Sequence, residues 1–223
     1  VIREKFTKIL KEGKDILHIA FSSALSGSCQ NVQVAARDLM EDYPERKILV
    51  FDSLNASLGE GVSVMRAVQL KEEGRSMEEI YDILAEERAH VNVCFTVDDL
   101  HHLQRGGRVS KTTAVVGSMI NIKPLLTVTA TGELKSDGTV RGRKKALKTL
   151  VTRMEQCLDT EHFGKDRPVA IVHGDCIDDA LAVQEHVKEL GFENVVINDV
   201  SPSIGTHAGP GVVGLIFYGK TVK

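Results

Sequence analysis

Residues 21–31 read Phe-Ser-Ser-Ala-Leu-Ser-Gly-Ser-Cys-Gln-Asn. Ser22, Ser23, Ser26 and Ser28 place hydroxyls around Gly27. Hydroxyls are neutral donors, the groups that a desolvated anion needs. A second cluster is Ile204-Gly205-Thr206-His207-Ala208-Gly209-Pro210-Gly211, read as a glycine-rich loop just before a strand. His207 there is able to donate to a carboxylate or phosphate, to act as a base, or simply to cap a carbonyl. A third is the glycine turn Arg105-Gly106-Gly107-Arg108, followed by Lys111 and by Arg141, Arg143, Lys144 and Lys145. These cations suit an acidic partner, anionic lipid headgroups or a phosphorylated product. For Lys144, Lys145 and Lys148 a solvated helix face is the better account, and Arg105 and Arg108 in the glycine turn are the better candidates.

The elements around these residues give them their places. Residues 16–21 form a short apolar run and predict a buried strand. Val32, Ala35, Ala36, Leu39 and Met40 then recur at helical spacing. The serines thus occupy a strand-to-helix turn at the carboxyl edge of a sheet, where ligands of open α/β sheets bind. A helix start offers free N–H groups and a positive dipole end to an anion. The same serines also make good N-caps, so capping alone remains open for this stretch. Residues 47–52 predict a second strand ending in Asp52-Ser53 at the same edge, where Asp52 either lines the crevice or caps the next segment. A helix over 59–70, with Val62, Met65, Ala67, Val68 and Leu70 inward, precedes a capping box at Ser76-Met77-Glu78-Glu79. This order implies a parallel, doubly wound, Rossmann-like domain over 1–91. The chain opens at Val1 inside an apparent helix, so the expectation is that a first strand precedes it.

From 92 to 223 the pattern changes to a mixed or antiparallel sheet covered by helices. A strand is expected over 91–97 and a short helix over 98–104. Strands over 125–129 and 133–140 make a hairpin about Ala130-Thr131-Gly132. Lys123-Pro124 breaks a small apolar segment, 113–122, which either walls a narrow hydrophobic cavity or is ordinary core. A basic amphipathic helix over 142–157 is followed by a strand, a helix over 178–190 and two more strands.

Composition excludes several functions. The net charge is −3 and aromatics make up only 4% of 223 residues, which argues against nucleic acid as a partner. No apolar run reaches the ~20 residues of a membrane span, and no signal peptide is expected. Cys29, Cys94, Cys157 and Cys176 form no CxxC pair, which disfavours disulfides and zinc and points to the cytoplasm. Cys29, near a helix start, is either a thiol of lowered pKa or a small filler. His101-His102 and Asp98-Asp99 point apart on a helix, so no metal is expected. Without a Walker lysine loop or GxGxxG, no nucleotide cofactor is expected either.

Five motifs together carry a resemblance. They are Ser22-Ser23-Ala24-Leu25-Ser26-Gly27-Ser28; Asp52-Ser53; residues 103–110; Asn121-Ile122-Lys123-Pro124; and Gly205-Thr206-His207-Ala208-Gly209-Pro210-Gly211. In this order they resemble the DegV family, the fatty-acid-binding subunits of bacterial fatty acid kinases. The resemblance spans nearly the whole chain. It implies a two-domain α/β fold with a long-chain fatty acid buried between the domains. The ligand-binding residues would be Ser23, Ser26, Gly27, Ser28, Thr206 and His207 at the carboxylate, with Ile120 and Ile122 along the acyl tunnel. Arg105, Arg108, Arg141 and Arg143 would meet the headgroup or an ATP-dependent kinase subunit, near the mouth of the cleft. Transient contact with a membrane surface fits the same cations. The chain itself would carry no catalytic residue. Two features depart from the family: its first strand and a threonine-bearing segment would lie before Val1, and Ser28-Cys29 replaces the usual Gly-Thr-bulky continuation. From the residues alone, Ser26 and His207 also admit a serine hydrolase of acyl esters, although Ser-Gly-Ser does not match the Gly-x-Ser-x-Gly elbow. A small-anion or sugar-phosphate module using only the serine turn is a further reading.

Overall fold

The computed structural model describes residues 1–110 and 121–222. The expectations for Lys111 and for residues 113–120, Ile120 among them, fall outside the described residues. The chain divides into two compact units, Val1–Ala56 with Glu60–Arg88, and Ser57–Gly59 with Ala89–Lys223.

In the first unit, α1 (Ile2–Lys11) leads into β1 (Ile16–Ala20), α2 (Ser28–Asp42) and β2 (Ile48–Asp52). The strands pair in parallel from Ile16 opposite Ile48 to Ala20 opposite Asp52. Parallel pairing brings the segments after β1 and β2 to one edge, so the serine turn and Ser53 become neighbours. Phe6, Leu10, Ile16, Val32, Ala36, Leu39 and Ile48 form the core between α1, α2 and the strands. A second cluster of Phe51, Leu70, Ile80 and Leu84 joins β2 to α3 (Leu58–Glu72) and α4 (Met77–Glu87). The capping box forms as read: Ser76 Oγ accepts from Glu79 N, and Glu79 Oε2 accepts from Ser76 N. Met40, which recurs at helical spacing with the apolar residues of α2, and Val68, read as inward, are 36% and 49% exposed. Val32 and Leu39 on α2, and Val62 and Leu70 on α3, supply the buried stripe, and these two residues lie to its side.

The second unit contains β3 (Val91–Thr96), α5 (His101–Arg105), β4 (Ile122–Val128), β5 (Leu134–Arg141), α6 (Arg143–Cys157), β6 (Val169–His173), α7 (Ile177–Glu189), β7 (Val195–Asp199), α8 (Pro202–Ala208) and β8 (Val213–Tyr218). Its strands run in the order β5-β4-β3-β8-β6-β7. Among the described strands of this sheet β6 and β7 pair in parallel and the other neighbours antiparallel, so the sheet is mixed. Every residue of β6 and β8 is buried, as expected of strands covered on both faces. Alternation directs Cys94 and Leu125 to a core shared with α6 and α7. Phe95 and Leu126 face the opposite way, into a core shared with Leu103 of α5 and Ala208 of α8.

Three readings need correction. Pro124 does not precede the hairpin strand but lies within β4, beside a register shift between Pro124 and Leu126. A bulge removes the demand for a donor that proline lacks. The short helix begins at His101 rather than Asp98, because Asp99 Oδ1 accepts from His101 N at 2.8 Å and fixes a turn ahead of it. Finally, 204–208 is not loop. Ser201 caps α8 by accepting from Ile204 N, and Pro202 occupies its first turn. One glycine, Gly205, is tolerated inside, and Gly209 at φ 76° ends the helix.

Candidate functional site

In the first unit the serine turn is built on main-chain hydrogen bonds. Leu25 N and Ser26 N both donate to Ser22 O at 3.1 Å. Ser22 Oγ accepts from Ala24 N, and Ser26 Oγ accepts from Ser28 N at 3.2 Å. These hydroxyls therefore brace the turn, but none is the N-cap of α2: that position is Gly27, which has no side-chain cap. An accepting hydroxyl keeps its own proton, so Ser26 Oγ remains able to donate to a ligand. The first bond of the α2 ladder runs from Asn31 N to Gly27 O. The amides ahead of it lie outside that ladder at the positive end of a 15-residue helix. Ser23, Gly27 and Ser28 are exposed and Ser26 is half-buried, so the turn is reachable.

The loop after β2 braces this turn. Ser22 N donates to Asn55 O at 2.8 Å. Asp52 Oδ1 accepts from Ser23 N and from Leu54 N, so it both touches the serine turn and caps its own loop. Ser53 is fully buried; its Oγ donates to Ala20 O at 2.7 Å and accepts from Asn55 N. Cys29 is buried, and burial followed by the nearby Asp52 charge pushes its thiol pKa up. This direction is opposite to the lowering that a helix start alone would give. Cys29 is the small filler of that turn.

In the second unit α5 and α8 pack together. His207 is half-buried on α8, and its ring nitrogens have no hydrogen-bond partner among the described residues. Thr206 is exposed, with Oγ1 donating to Pro202 O at 2.9 Å. Arg105 is exposed and Nη2 meets His102 Nδ1 at 3.0 Å. Arg108 is half-buried and donates to Gly106 O. His102 is half-buried, with its ring against Gly209.

Arg141 ends β5, exposed and opposite Ile122, which is half-buried at the start of β4. Arg143 has a different setting. Its guanidinium bonds Asp179 at 2.7 and 2.8 Å, lies 3.6 Å from Asp98 and reaches Cys176 Sγ at 3.7 Å. Asp98 in turn accepts from Lys123 at 2.7 Å. This network ties α6, α7, β4 and the turn after β3 together. A cavity of about 610 Å³ beside it is lined by His173, Cys176 and four carboxylates, Asp175, Asp178, Asp179 and Asp199. Its charge is wrong for an anionic ligand. Among the described residues no cluster of His, Cys, Asp and Glu is placed to hold a metal, and no helix is long and apolar enough to cross a membrane.

Sequence reasoning missed the closeness of Gly106 to His207 and the Asp98 network. The Ser201-Pro202 pair was a readable helix-start signal. Gly106 and His207 stand about a hundred residues apart, and the Asp98 and Arg143 pairs span 25 residues to Lys123 and 36 to Asp179; no local pattern marks such contacts.

The chain belongs to the DegV family: the profile described as "Uncharacterised protein, DegV family" matches residues 1–220. A DegV domain-containing protein of Clostridium perfringens is 38% identical over 219 residues, which are 98% of this chain and 74% of that one. A Thermus thermophilus DegV family protein, solved as a fatty acid binder, superposes with a TM-score of 0.85 at 32% identity, over 98% of this chain and 75% of the other. The same α/β fold recurs in the Streptococcus pneumoniae fatty acid kinase B3 protein loaded with linoleic acid, with a TM-score of 0.85 at 20% identity over 97% and 75% of the two chains.

Proposed function

We propose that this chain is a cytoplasmic carrier that binds a long-chain fatty acid and presents its carboxylate to a separate, ATP-dependent kinase subunit for acyl-phosphate formation. The observation that carries the reading is the serine turn. It sits at the carboxyl edge of β1 and β2 and heads a 15-residue helix. Ser26 Oγ keeps a proton to donate, and Gly27 leaves the backbone open. An ionised carboxylate is costly to desolvate unless donors meet it, and hydroxyls with helix-start amides do so without a catalytic base. The acyl chain supplies the affinity, since each buried CH₂ contributes roughly 0.8 kcal/mol. Binding by the Thermus thermophilus relative supports the ligand class. The kinase context rests on the Streptococcus pneumoniae B3 protein.

In this reading Ser23, Ser26, Gly27 and Ser28 take the carboxylate together with Thr206 and His207, and the tail lies between the domains 1–91 and 92–223, against Ile120 and Ile122. The head lies toward the cleft mouth. Arg105, Arg108, Arg141 and Arg143 then serve the headgroup, the kinase or a passing membrane surface. Titration with oleate tests the assignment. Ser26→Ala is expected to weaken binding about tenfold, the worth of one hydrogen bond to a charged group, while the melting temperature stays near that of the parent. Unchanged affinity removes Ser26 from the site. Turnover of a generic acyl ester that disappears in Ser26→Ala makes the protein a hydrolase instead.

A further inference from the structure

We infer that Gly106 is a positioning residue: the absence of a side chain there holds the His207 imidazole in its orientation. This rests on the reading of His207 as a carboxylate ligand. A Cβ built at Gly106 would lie 2.2 Å from His207 Nδ1 and 3.2 Å from Cγ and Cε1. The ring therefore lies directly over the Gly106 α-carbon. The backbone of Gly106 is ordinary right-handed helix, φ −72° and ψ −7°, which any residue adopts. Glycine is thus needed there for space and not for conformation.

Which side would yield is set by the hydrogen bonds. Gly106 N donates to His102 O at 3.0 Å, and Gly106 O accepts from Arg108. The α8 backbone is fixed by the Ser201 cap and by Gly209 N donating to Gly205 O at 2.8 Å. The imidazole alone has no hydrogen bond among the described residues to hold it. A methyl group at 106 turns that ring away. Two further close approaches lock the same corner. A Cβ at Gly209 would meet the His102 ring at 2.6 Å, and one at Gly211 would meet Asp98 at 2.5 Å. The turn of Arg105-Gly106-Gly107-Arg108 therefore does more than display two arginines. It shapes the seat of the histidine, with Nδ1 packed over Gly106 and neither ring nitrogen hydrogen-bonded among the described residues.

A double-mutant cycle in the intact protein tests this, with oleate as the probe. Gly106→Ala and His207→Ala are each expected to weaken oleate about tenfold, and the double variant no further than His207→Ala alone. Affinity unchanged in Gly106→Ala, or losses that multiply in the double variant, overturns the inference. If Gly106→Ala melts early, His207→Ala in the same chain must restore the melting temperature, because the clash is gone; failure to restore it counts against the inference. The imidazole NMR signals of His207 provide the readout independent of ligand. Their displacement in Gly106→Ala upholds the positioning role even if the parent protein binds no oleate, an outcome that removes the proposed function alone. Unmoved signals reject the role.

Discussion

The serine turn of the first unit and the His207 corner of the second are held by opposite means. In the turn, polar groups answer one another directly: Ser22 Oγ serves Ala24, Ser26 Oγ serves Ser28, and Asp52, brought near by the parallel strand pair, joins Ser23 to Leu54. At the corner, His207 has no hydrogen bond among the described residues, and the packing of α5 against α8, with its ring over Gly106, determines where it lies. Directional bonds tolerate small displacements and leave spare donors. Close packing of backbone against rings tolerates almost none. The two regions should therefore fail differently. Substitutions in the turn should reduce ligand binding more than stability, and glycine substitutions at the corner should reduce stability and binding together.

The largest effect is expected from Gly211→Ala. Its φ of 77° strains any side chain, and the added methyl meets Asp98, whose carboxylate holds Lys123. A loss of about 2–4 kcal/mol follows, read by denaturant unfolding. A loss below 0.5 kcal/mol would break the contrast between the regions. Ser53→Ala probes the first unit's own buried point. It deletes the bond to Ala20 O and strands the amide of Asn55, so about 1–3 kcal/mol should be lost, again by denaturant unfolding. A cost equal to that of Gly211→Ala would show that the hydroxyl network is as intolerant as the glycine corner.

The smallest effect concerns pH. Burial pushes the Cys94 thiol from 9.0 up to about 12. A group whose pKa is raised by folding stabilises the fold below its unfolded pKa. Stability should be complete below pH 9 and fall as pH rises toward 12. Cys94→Ala should flatten that decline, measured as melting temperature against pH. An identical slope in both proteins would assign the alkaline loss elsewhere.

The same contrast explains what could be read in the amino-acid sequence. Ser76-Met77-Glu78-Glu79, the run 16–20 and the hairpin around Ala130-Thr131-Gly132 are local patterns, and each forms where its pattern lies. The serine turn was legible for the same reason, since its partners are close in sequence or brought near by one parallel strand pair. The neighbours of His207 were not, because Gly106 stands about a hundred residues away and glycine spacing says nothing of what lies above it. Reading 204–211 as loop followed its glycine content and overlooked Ser201-Pro202, a stronger signal than Gly205 is a breaker. The Cys29 thiol was misjudged in one of its two readings because burial, a tertiary quantity, pushes its pKa up.

The central claim is that this protein carries a fatty acid. Organic extraction of the purified protein followed by mass spectrometry of the extract tests it directly. One long-chain fatty acid per chain is the predicted result, and its length and saturation would give the specificity. An extract without lipid, from a protein that also takes up neither added oleate nor palmitate, would contradict the account.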